Sequence, residues 1–151
     1  HTNQSDHADD QSDLGGFCSP IIIYDPSHPE GRIEDKVAQQ IDILPTVLGM
    51  MGYPKPYFGF GIDVLNTPAD KTWAVNYLNG IYQYVRYGYV LQFDGTNSKG
   101  IYKLDDRIMQ HNLIGKVPQQ SQMESELKAI IQQYMMRMTQ NRLNSQDHTV
   151  D

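Results

Sequence analysis

From Thr72 to Leu104 apolar and polar positions alternate with a period of two, and the alternation is interrupted at regular intervals by turn residues. Asn79-Gly80 separates two such runs, a second reversal falls at Tyr87-Gly88, and a third at Asp94–Gly100, before Ile101–Leu104. Asn-Gly between alternating runs is the strongest short-range hairpin signal, so a four-stranded antiparallel meander is expected. Its six tyrosines (Tyr77, Tyr82, Tyr84, Tyr87, Tyr89, Tyr102) fit cross-strand packing better than a ligand box. Further on the period lengthens to that of a helix. Met123, Leu127, Ile130, Ile131, Tyr134, Met135 and Met138 share one face, with Ser121 and Glu124 spaced as a capping box. This Met-rich stripe is expected to cover the meander.

The first half of the chain is patterned differently. Ile21–Tyr24, bounded by Pro20 and Asp25-Pro26, is a short continuous apolar run and predicts a strand buried on both faces, as in a parallel sheet. The stretch 27–36 reads as a surface loop. Asp42 then stands as a helix N-cap, Pro45 falls in the first turn and Gly52 suits the position just past the end. Leu44, Val47, Leu48 and Met51 form the face expected to pack on a sheet. A lone parallel-type strand requires neighbours and crossover helices that the rest of the sequence does not offer. The chain is therefore expected to be one segment, 1–151, of a larger α/β domain. Residues 1–70 would end the α/β core, 71–120 form the meander, 121–142 the C-terminal helix and 143–151 a frayed tail.

Composition narrows the chemistry. The 151 residues are 39% hydrophobic and 20% charged, enough apolar content to bury a core. A net charge of −6, with no clustered Lys or Arg, lacks the footprint of phosphate-backbone binding, so nucleic acid is excluded as an expected partner. Cys18 is the only cysteine and permits no internal disulfide. It stands in Cys-Ser-Pro, but the arginine of the sulfatase nucleophile motif C-x-P-x-R is replaced by Ile22, and Cys18 is expected to be a small buried hydrophobe. No nucleophile elbow, glycine-rich phosphate loop, dinucleotide fingerprint or paired-cysteine zinc spacing occurs, and Phe58–Asp63 (FGFGID) reads as a loop. The remaining candidate is the opening, HTNQSDHADDQSD, where imidazoles and carboxylates suited to a divalent cation crowd together.

Taken in order, these motifs resemble the C-terminal part of the sulfatase and phosphoglycerol transferase group of the alkaline phosphatase superfamily, most of all the lipoteichoic acid synthase type. His1-Thr2-Asn3 is similar to the end of that family's Asp-His metal motif, whose Asp would immediately precede His1. Ser5-Asp6-His7 resembles the family's Gly/Ser-Glu-His at the site rim, with Asp6 standing for the glutamate. Pro20–Pro26 resembles the following strand. Gln40–Thr46 (QIDILPT) resembles the start of a helix and is the most diagnostic block; Phe58–Leu65 and Ile101–Leu113 match two later elements.

The resemblance implies an alkaline phosphatase-like α/β fold and metal-assisted transfer or hydrolysis at a sulfate or phosphate ester. A Thr, Ser or modified Cys nucleophile would lie upstream, leaving no catalytic residue in this chain. It implies a divalent metal (Mn, Zn, Mg or Ca) in the intact parent with His1 as one ligand, and His7 and Asp6 at the substrate rim. The expected partner is the upstream part of the same polypeptide, with self-association through an exposed sheet edge, and the expected setting is the periplasmic or extracellular side of a bacterial membrane. The competing expectation is a self-standing, non-catalytic binding or interaction module.

Overall fold

Two turns with left-handed backbone set the register of the sheet. In the computed structural model, which describes residues 6–144, Asn79 and Gly80 have φ of 51° and 84°, and Tyr87 and Gly88 have φ of 55° and 77°. Positive φ at both central positions defines the type I′ turn, whose twist matches that of the flanking strands. The strands β1 (Ala74–Leu78), β2 (Ile81–Arg86), β3 (Tyr89–Phe93) and β4 (Ser98–Lys103) follow in spatial order β1-β2-β3-β4, all antiparallel. A register shift at Gln92/Phe93 accompanies the third reversal, where the Asp94 carboxylate accepts the N–H groups of Thr96 and Asn97.

With register fixed, two neighbouring rows of residues point to opposite faces. The row Tyr84–Leu91–Ile101 is fully buried and packs with Phe93, Val117, Met123 and Leu127. The row Ala74–Val85–Val90 is buried against Leu14, with Val37, Leu104 and Met109 around it. The first face is covered by α3 (Gln120–Thr139). The capping box expected from Ser121 and Glu124 does not form. The helix begins two residues earlier than that box requires, at Gln120, so Ser121 lies within it, and Glu124 instead takes the Ser98 hydroxyl at 2.8 Å and Lys128 at 2.6 Å. The stripe also covers less than its periodicity implied. Met123 and Leu127 are buried, whereas Tyr134, Met135 and Met138 are 47%, 53% and 47% exposed. A 20-residue helix is about 30 Å long and overruns strands of five or six residues, which span about 17–20 Å.

The first half departs further. Cys18 and Ile21–Tyr24 are in no strand, and Ile22 and Tyr24 are 86% and 87% exposed. A strand exists only with a hydrogen-bonding neighbour, and the described residues supply none to this run. Cys18, expected to be buried beside it, is exposed for the same reason. Helix α1 (Ala8–Gln11) is a single turn, and α2 (Ile43–Met50) ends as expected: Gly52, at φ 60°, donates to the Gly49 carbonyl and Tyr53 to that of Leu48, a Schellman closure. The α2 face, however, is not covered by the sheet; Leu44, Val47 and Met51 are exposed, and the buried members are Pro45 and Thr46. The molecule is thus a mixed α/β chain with a four-stranded antiparallel sheet and a C-terminal helix. Among the described residues no helix is long and apolar enough to cross a membrane.

Leu127→Ala is expected to lower unfolding free energy by about 2–5 kcal/mol in urea titration. Met135→Ala on the overhanging part of the same helix should change it by less than about 0.5 kcal/mol.

Candidate functional site

The segment from residue 6 onward is docked on the sheet through Leu14. Leu14, 4% exposed, inserts against Ala74, Val85 and Val90. The turn behind it closes through the Ser12 hydroxyl, which donates to the Asp9 carbonyl and accepts from Gly15 N–H, both at 2.9 Å. Gly15 lies so close to the Asp9 carbonyl that a Cβ would collide with it. Asp6 and His7 stand exposed at the head of this unit, His7 in extended conformation just before α1. His1, the expected metal ligand, lies outside the described residues, as does Ser5. Among the described residues no three His, Cys, Asp or Glu side chains converge so as to hold a metal ion.

The most tightly built feature lies elsewhere, where two of the sequence blocks meet. Asp42 is 1% exposed and its two oxygens accept different backbone N–H groups: Ile62 at 2.8 Å and Gln39 at 3.0 Å. Burial raises its pKa above the ordinary carboxylate value, and the two N–H bonds oppose that rise. Thr46, one helical turn on, accepts Val64 N–H at 3.1 Å and donates to the Ile62 carbonyl. Gly61 abuts the Ile41 carbonyl and Gly49 abuts the Asp63 carboxylate, positions where a Cβ would clash. The block at 40–46 is therefore interlocked with the block at 58–65. Around them, Lys36 donates to the carbonyls of Val64 and Leu65. The Gln39 side-chain amide bonds the Trp73 carbonyl and Val75 N–H, extending the edge of β1. Beyond the lock, Phe58 meets Phe60 edge-on at 5.2 Å, Phe60 meets Tyr134 at 5.6 Å, and the Arg137 guanidinium sits 4.6 Å over Phe58. This loop thereby joins α2 to the overhanging end of α3.

The third block, 101–113, also folds back on itself. Asn112 accepts the N–H groups of Ile101 and Ile114, and Asp106 accepts those of Gln110 and His111. These bonds draw the Asp106 pKa below its ordinary value, the His111 N–H contributing most. Asn112 holds the loop against β4, and Asp106 closes the loop on itself.

Two other clusters carry charge. At the sheet–helix junction one carboxylate, Glu126, accepts the hydroxyls of Tyr84 (2.9 Å) and Tyr87 (2.8 Å) and the Gln122 amide (3.0 Å), and pairs with Arg86 at 3.1 Å. Burial pushes its pKa up, but the bonds from Tyr87, Gln122 and Tyr84 and the charge of Arg86 outweigh it, and the net displacement is downward. Burial, with the nearby carboxylate, raises the Tyr84 phenol well above its ordinary value. In the loop at 25–28, Ser27 Oγ donates to Asp25 at 2.6 Å and His28 Nδ1 lies 3.0 Å from both. The residue types are those of a catalytic triad, but the serine proton goes to the aspartate, and Ser27 N–H bonds the same oxygen, closing an exposed Asx turn. The Ser27 hydroxyl is the main reason Asp25 drops to about 2.

Sequence reading did not single out the Glu126 cluster; its members are scattered between 84 and 126, and only the hairpin register and α3 phase bring them together. Asp42, expected as the N-cap of α2, makes no side-chain cap bond to that helix. Compared with family models, curated proteins and solved structures, the chain matches none.

Asp42→Asn leaves a single acceptor oxygen where two N–H groups need one each. It should destabilise the fold by about 1–3 kcal/mol, with amide exchange accelerated first at Gln39 and Ile62. Because the Glu126 pKa is depressed in the folded state, the stability this group contributes is present above the unfolded value and lost as pH falls through the folded one. Glu126→Gln should therefore make the loss of stability below about pH 4 shallower in acid titrations followed by circular dichroism.

Proposed function

We propose that this chain is the C-terminal segment of a metal-dependent sulfatase or phosphoglycerol transferase with an alkaline phosphatase-like fold, acting on sulfate or phosphate esters. On this reading it is inactive by itself. The observation that carries the reading is that blocks recognised separately along the sequence act together in space: Asp42 and Thr46 of one bond the backbone of Ile62 and Val64 in the next.

The exposed apolar surface supports the same reading. Ile21–Tyr24 has no strand partner among the described residues, and Leu44, Val47 and Met51 of α2 are exposed. Apolar surface of this kind marks an interface. Its occupant is the upstream part of the same polypeptide, in whose absence the chain self-associates. His1 supplies one ligand of a divalent metal (Mn, Zn, Mg or Ca), with the residue before it as a second, and Asp6 and His7 lie at the rim of the substrate site. Asp42 is not proposed as a ligand, since both its oxygens accept backbone N–H groups. The nucleophile lies upstream, and the intact parent works on the periplasmic or outer side of a bacterial membrane.

With Mn²⁺ or Zn²⁺ present, the isolated chain should not hydrolyse p-nitrophenyl phosphate or p-nitrophenyl sulfate. Co-expressed with the preceding portion of its own gene it should do so, and His1→Ala should abolish that activity. Hydrolysis by the isolated chain would overturn the reading. The isolated chain should also oligomerise in analytical ultracentrifugation, with Ile22→Lys and Leu44→Lys shifting it toward monomer. A folded monomer indifferent to metal and to the upstream portion would favour the self-standing binding module instead.

A further inference from the structure

We draw no further inference here: the strongest candidate, the exposed apolar residues of the Ile21–Tyr24 run and of the outward face of α2, belongs to the interface already proposed, and nothing in the structure shows what else covers them.

Discussion

The organisation of the first half depends on one buried carboxylate. Asp42 sits where a charged group is costly, and it is held there because each oxygen receives a backbone N–H that would otherwise be orphaned. One of those amides begins the turn into α2 and the other belongs to a loop twenty residues on, so a single side chain fixes the helix start and the loop path together. Thr46 repeats the device one turn later, and Gly49 and Gly61 remove the side chains that would hold the two segments apart. From that joint the Phe58–Phe60 loop reaches α3, and Gln39 reaches the edge of β1. The helix–loop unit is thus tied to the edge of β1 by polar bonds and to α3 by ring contacts, while its apolar face points outward.

The second half is organised by burial. Type I′ turns set the register, register sorts side chains onto two faces, and each face is covered by a few residues from elsewhere: Met123 and Leu127 on one side, Leu14 on the other. Glu126 adds a polar tie between helix and hairpin, with four donors from β2, the turn after it and α3 itself converging on one carboxylate. The strands of the meander pair with one another and both its faces are covered by described residues, whereas Ile21–Tyr24 lies in no strand and the apolar face of α2 is exposed.

Legibility followed the range of the forces involved. The hairpins were readable because Asn79-Gly80 and Tyr87-Gly88 act locally, and the end of α2 was readable because Gly52 does too. Elements decided by tertiary partners were not. The strand pattern of Ile21–Tyr24 is present, but strands need pairing; the Ser121/Glu124 spacing is present, but Ser98 and Lys128 compete for the carboxylate. Leu14 gave no periodic signal, being one apolar residue in a polar run, although it anchors the opening segment. For the candidate site, the blocks at 40–46 and 58–65 were recognised but not their contact, because a hydrogen bond between residues 42 and 62 leaves no mark in either segment alone.

The central claim, that the opening is one half of an Asp-His metal pair at the edge of a catalytic domain, is tested most directly by sequencing the encoding gene immediately upstream of His1. The account predicts an aspartate codon there, continuing into an open reading frame. An initiator methionine, or any residue other than aspartate, would contradict it.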